Sequence, residues 1–459
     1  MNTSAPNRKG SGFTFSGLTQ ASLIIMAFFV CFSATINKSE AQNLQITDFV
    51  LFAGDGTNPQ GLAVPPAPGY GVSIGTSNTV SGGNIGSRVL VKTSGNITGN
   101  VRSGQRVEFS NSIVMNGSIF AANSNASTGT TVLTGSSLSL TGSILANGNI
   151  SVGGGSISGS VTKPSNFTYT GPTPTGGVIN AVPVIPALPS LPTPTIIPPA
   201  GTQNITANTT ITPGAYGNVT LGGNRTITLS GPGDYIFNSI NNSGTSNIFR
   251  FDFQNNPNGV FRIFVKGNAF LNKSTATILN GGSANRIYME VQGNGAGSTS
   301  NAYSFVIANG ASGGVSRWFG TVYAPFAGIF MGSGTGSTSI TGSLWSGTQV
   351  LINSGVTTNY AAYVNCQTPV ANAGPDRTID CTNATVTLNG SSNIAGSTFS
   401  WVASNGGNIV SGANTATPVV NAAGTYTLTV TTGSACSSTD VALVTTNLTA
   451  PNVNAGVDK

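Results

Sequence analysis

The sequence predicts an all-β chain, a β-solenoid (β-helix) followed by an Ig-like β-sandwich. Three observations carry this. Apolar residues recur at strand spacing among small polar ones, as in "TGSILANGNISVGGGSISGSV" (141–161), where Ile144, Ile150, Val152, Ile157 and Val161 stand among Gly, Ser, Thr and Asn. A short glycine motif returns along the first 345 residues. The composition combines 62 glycines and only 6% charged residues with 38% hydrophobic ones, which suits many turns and thin side chains and not a disordered chain.

The 459 residues allow two or three domains. Arg8 and Lys9 precede an apolar run, "ASLIIMAFFVCF" (21–32), and a small-residue site at Ser39-Glu40-Ala41. This is the layout of a secretory signal peptide over residues 1–41. The run is shorter than the roughly 20 residues a membrane span needs. Cys31 lies within it, behind "FFV", which lacks the small residue that lipoprotein processing favours. Cleavage after Ala41 removes three basic residues and one acidic one, so the formal charge of +6 falls to +4. The remaining basic residues are scattered and form no patch interleaved with aromatics, so nothing points to nucleic acid.

Residues 42–170 read as the first part of the solenoid. The motif appears as "TGNVR" (98–102), "NGSIF" (116–120), "TGSIL" (141–145) and "SGSVT" (158–162), with Gly99, Gly117, Gly142 and Gly159 spaced by 18, 25 and 17. It returns as "FGTVY" (319–323) and "TGSLW" (341–345). One such coil cannot bury its own apolar residues, but stacked coils share a column of Ile, Val and Leu. Residues 171–200, "GPTPTGGVINAVPVIPALPSLPTPTIIPPA", carry prolines at short intervals. They read as an extended crossover or linker. Residues 201–365 resume the strand pattern with larger aromatics. Two short Thr-rich runs, "STATIL" (274–279) and "STSIT" (337–341), stand out there.

Chemistry-bearing residues are few. The chain has no histidine, so the commonest general base and metal ligand is absent. No Ser lies in a G-x-S-x-G elbow. "GGNIGS" and "GGGSISG" lead into no helix that would hold a phosphate, so they read as turns. Of the ten mature acids, Glu290 and Asp252 are the first to test as a paired-carboxylate site, though each is expected to face solvent or to pair with Arg286, Arg250 or Arg262. Asp376, Asp380 and Asp440 are oxygen donors of the type Ca²⁺ takes, but read better as solvated loop acids. Asp48 and Asp55 match no metal loop. No catalytic residue, cofactor-binding residue or metal ligand is assigned, no cofactor is implied, and the protein is expected not to be an enzyme.

Residues 366–449 form a separate unit of about seven short strand-like runs. Trp401 is the expected core plug and Tyr426 the aromatic before the last hairpin. The mature chain keeps Cys366, Cys381 and Cys436, an odd number. Cys381 and Cys436 are the expected disulfide, which would close a 55-residue loop worth about 4 kcal/mol in the chain-entropy account. The partner of Cys366 stays open. Residues 450–459 contain "PNVNAGVDK", which repeats "PVANAGPDR" (369–377), so a second repeat is expected to begin there and a sorting or anchoring tail to follow.

Two resemblances add to this reading. The succession "TPGAYGNVTL", "GPGDYIFNSI", "NPNGVFRIFV", "GSANRIYMEV" and "FGTVYAP" through "TGSLWSG" (341–347) resembles the β-solenoid domain of the bacterial and fungal ice-binding family. It is also similar to bacterial surface β-helix domains of the choice-of-anchor type. In the ice-binding family a long helix caps the solenoid; here the Pro-rich segment takes that place. In the last unit, "AGPDRTIDC", "FSW" and "GTYTLTV" resemble PKD-like and Ig-like repeats of Bacteroidetes-type surface proteins. The resemblances imply a secreted, non-enzymatic cell-surface protein, with a binding solenoid presented on PKD-like spacers. Its partner would be a surface polymer, a carbohydrate or, alternatively, ice; a carbohydrate-active β-helix enzyme ranks lower.

Overall fold

The computed structural model describes residues 44–55, 71–126, 129–242, 244–295, 303–308, 315–332, 337–364, 369–394, 396–432, 436–448 and 456. The expected signal peptide and second repeat fall outside them, residue 456 apart. The molecule is nearly all β, with long parallel sheets. From Phe49 to Tyr360 the chain winds in coils that visit three faces in fixed order. One coil runs through Val101–Ser103 on face A, Arg106–Phe109 on face B and Ile113–Asn116 on face C, and returns to face A at Ile119–Ala121.

The repeats stack as their spacing predicts. Ile85, Val101, Ile119, Ile144 and Val161 occupy one register position on successive face A strands and are fully buried. Each such side chain contributes roughly 1.5–3 kcal/mol when buried. The motif glycines line the corner between faces C and A. Gly117 has φ +155°, and a Cβ there would meet the Gly99 carbonyl oxygen at 2.1 Å. A side chain would force the coils apart at each rung, which is why the motif keeps its glycine.

The order of the coils does not follow the order of the chain. Phe49–Ala53 lies in the middle of the 13-stranded face A sheet, between Asn84–Ser87 and Leu344–Ser346. Gly71–Ile74 on face B and Thr79–Ser81 on face C sit the same way between early and late strands. The first part therefore builds outward from the waist to Val178–Asn180. The chain then crosses to the opposite end, and the second part climbs back from Gly214–Ala215. The two parts form one solenoid. Trp345 Nε1 donates to the Phe49 carbonyl at 2.9 Å across the seam. The Pro-free run Val178–Asn180, inside the segment read as crossover, is still a face A strand paired with Val161–Lys163, so the proline strap starts after it.

The last unit has its own core of Trp401, Tyr426, Leu428, Val430 and neighbours. Its strands form a four-stranded sheet, a three-stranded sheet and a pair, mostly antiparallel. Trp401 is buried with its Nε1 on the Thr415 carbonyl. The Tyr426 hydroxyl donates to Ala422 O at 2.6 Å and accepts from Asn408 N at 2.9 Å. The expected Cys381–Cys436 bridge is not formed: Cys381 is an exposed free thiol, whereas Cys436 is disulfide-bonded. The register explains why. Asp380 pairs with Asn447, at the far end of the Ser437–Asn447 strand. That strand, at about 3.3 Å per residue, sets the two sulfurs far beyond the roughly 7 Å Cα limit for a disulfide.

Candidate functional site

The three faces carry different outward side chains on the same backbone ladder. On face A the outward row reads Phe120, Arg102, Gly86, Phe52, Trp345, Tyr323, Glu290, Phe264 and Ile236. Phe49, Phe52, Phe264, Tyr288, Tyr323 and Trp345 make a cluster closed by Leu188, Leu191 and Ile197 of the proline strap. Gly86 is required beneath it, since a Cβ there would meet the Phe49 ring at 2.5 Å and the Phe52 ring at 2.7 Å.

A polyproline strap makes no internal hydrogen bonds, so its polar groups need partners. Arg88 donates to Pro189 O at 3.1 Å and the Tyr323 hydroxyl to Pro192 O at 2.7 Å. Thr195 is fixed from both sides. Its N–H and hydroxyl donate to the two oxygens of Glu290 at 2.8 and 2.7 Å, and its carbonyl accepts from Gln292 Nε2. Glu290 is 1% exposed and also accepts from Gln292 Nε2 at 2.6 Å and the Tyr288 hydroxyl at 3.1 Å. These four neutral donors compensate a buried carboxylate in place of a cation. Burial, and then the Glu290 charge, push the Tyr288 and Tyr323 phenols well above their ordinary value.

The structure therefore corrects the expectation that Glu290 faces solvent or pairs with an arginine. Arg262 instead makes a bidentate bridge to Asp234 at 2.6 and 2.9 Å, from its register partner on the neighbouring strand. Asp252 lies on face C, at the end of Asn247–Asp252, bonded to Gln254 N and Asn280 Nδ2. Glu290 and Asp252 thus sit on different faces and do not converge. Asp376, Asp380 and Asp440 each accept backbone N–H groups, from Leu443, from Thr382 and Asn383, and from Ala373. The Thr382 hydroxyl, and then the Asn383 and Thr382 N–H groups, hold the Asp380 carboxyl pKa below its ordinary value, and the Ala373 N–H does the same for Asp440. Among the described residues, no three His, Cys, Asp or Glu side chains gather as a metal site, and no helix is long and apolar enough to cross a membrane.

Face B shows an outward row of Phe270, Val306, Phe330 and Leu351, half-buried and in register, continued by Ser73, Lys92 and Glu108. Face C differs. Seven successive strands carry no charged residue: Ser337–Gly342, Val356–Tyr360, Thr79–Ser81, Asn96–Thr98, Ile113–Asn116, and the later halves of Thr130–Leu140 and Asn149–Ile157. Their outward residues form two ranks. Ser339, Thr357, Thr79 and Asn96 stand in one, and Thr341, Asn359, Ser81 and Thr98 in the other. Val114, Ser139 and Ser156 extend the first rank and Asn116 the second. Rungs about 4.8 Å apart make the array about 29 Å long.

Sequence reading found the second Thr-rich run of this array but missed the array. "STATIL" and "STSIT" do lie on the same face, as strands Ser274–Leu279 and Ser337–Gly342, but Val315–Phe319 runs between them. Exposed Arg317 therefore separates Thr275 from Ser339. The array grows the other way, across the seam.

No protein-family model and no curated protein matches the chain. Among solved structures, it is similar to an ice-binding protein from an Antarctic Flavobacteriaceae bacterium. The identity is 12%, over 71% of this chain and all of that one, with a TM-score of 0.20.

Proposed function

We propose that the chain is a secreted, non-enzymatic bacterial surface protein. In this reading its solenoid binds a surface ligand through face C, and an Ig-like, PKD-like unit serves as spacer. One observation carries it: an uncharged array of Ser, Thr and Asn, interrupted by Val114, with one rank over seven consecutive strands and a second over five. Non-catalysis is supported by the lack of histidine and by the use of Glu290 to hold the strap. Secretion is supported by the layout of residues 1–41.

In-register hydroxyls on stiff strands are also what a surface that orders water needs, so ice binding is the second reading. The test is ice-crystal shaping and thermal hysteresis on the mature chain from residue 42, beside retention on insoluble polysaccharides. Faceted crystals make face C an ice surface. Unshaped crystals with polysaccharide retention make it an adhesive one. Neither effect, or hydrolysis abolished by substituting one acid, overturns the proposal.

A further inference from the structure

The geometry points to one class of ligand for face C: a neutral, hydroxyl-bearing polysaccharide lying along the solenoid axis, across the rungs. This rests on the proposal that face C binds, and goes further by naming the partner and its direction. The seven strands carry no formal charge, so a polyanion would lose its hydration with no cation to receive it. A neutral polymer loses less.

The donors and acceptors are available. Among the described residues, the hydroxyls of Thr79, Ser81, Thr98, Ser339, Thr341 and Thr357 take part in no side-chain hydrogen bond. The amide oxygens of Asn96 and Asn116 accept from Val114 N and the Thr141 hydroxyl, at 2.9 and 2.8 Å. These bonds aim the amides and leave N–H groups facing out. β-Branched Thr side chains are restricted at χ1, so little rotamer freedom is lost on binding.

Direction follows from shape. Along any one strand the array offers at most two positions, because each strand contributes no more than one residue to each rank. Across the strands the first rank runs for about 29 Å, with Val114 its one apolar member, and the second runs over five rungs. A ligand with a short chemical repeat gains contacts only in that second direction. Arg317 on one side and the end of the stack on the other bound the track.

The experiment is co-sedimentation of the mature chain from residue 42 with microcrystalline cellulose, insoluble mannan and calcium alginate, at low and molar salt. The variants are Thr79→Lys/Thr357→Lys, two exposed register partners on face C, and Ser151→Lys on face B as control. Retention is expected on a neutral polymer, little changed by salt, reduced at least about tenfold in the double variant and unchanged in the control. Thr79→Val/Thr357→Val, with unfolding temperature measured on all variants, covers a failure of the lysine variant to fold. Retention on alginate alone, or equal loss in the control, overturns the inference. Ice shaping that the double variant abolishes, without polymer retention, overturns the polysaccharide and keeps face C as the binding surface. Neither activity overturns both.

Discussion

Faces A and C are built on the same coils yet present opposite surfaces. The outward row of face A is aromatic, with a buried acid and an arginine, and a strap covers it. The outward ranks of face C are short and uncharged, and no strap covers them among the described residues. The difference teaches how a solenoid declares which side its own chain uses. On face A the aromatic rings and the Glu290 carboxylate sit outward where the strap dehydrates and satisfies them. Ser, Thr and Asn tolerate either water or a ligand. Outward composition thus separates an internal interface from an external one, although backbone and register are alike.

The strap side breaks most severely at its buried acid. Glu290→Ala strands the Thr195 N–H and hydroxyl without their acceptor and leaves the Gln292 amide only the Thr195 carbonyl, and a loss of about 3 kcal/mol is expected. Glu290→Gln should cost clearly less. Its carbonyl can keep Thr195 N and Gln292, and its NH₂ can donate to the Thr195 and Tyr288 hydroxyls, which rotate to accept. Equal denaturant midpoints for the two variants would break the comparison, since the strap would then not depend on this hydrogen-bond set.

A middle-sized effect comes from alkali. The Tyr288 and Tyr323 pKa values are raised in the folded state. The neutral phenol is the form that folding favours, so their contribution is complete below about pH 10, the unfolded value. It is lost as pH rises from there toward the folded values. Thermal melts followed with phenolate absorbance should show tyrosine ionisation arriving together with unfolding. Ionisation of these tyrosines well before unfolding would mean that the strap leaves face A open to solvent. The smallest effect is expected at Arg262, where the bridge to Asp234 is bidentate but 41% and 45% exposed. Arg262→Ala should shift stability by less than about 1 kcal/mol. A larger loss in urea melts would show that face A depends on its rim as well as on its aromatic row.

Part of this was legible in the sequence. Gly99, Gly117, Gly142 and Gly159 announce stacked coils because a carbonyl of the next rung occupies the space of a side chain. Trp401 and Tyr426 announce a second core for the same reason that large side chains usually do. The coil order was not legible. Parallel strands carry alternation but no label for their partner, so nothing in Phe49–Ala53 says that it meets Leu344–Ser346. The face C array was hidden with it, because Thr79 and Thr357 become neighbours only at the seam. Glu290 was misread since two of its four donors come from a strap about 95 residues earlier, while the other two, Tyr288 and Gln292, flank it along its own chain and give no sign of that cover. The Cys381–Cys436 pairing failed on direction: one strand runs parallel to its partner and carries the two cysteines apart.

The seam has a consequence for how such a protein can change in length. Phe49 enters and Tyr360 leaves on neighbouring coils at the waist, and the Tyr360 hydroxyl bonds the Thr47 carbonyl there. Both tips of the stack are therefore interior parts of the chain. A gene duplication that adds a coil at either tip lengthens the body without moving the waist at which the solenoid's chain enters and leaves. The stack is like a beam whose two leads emerge at mid-span, free to lengthen toward both ends.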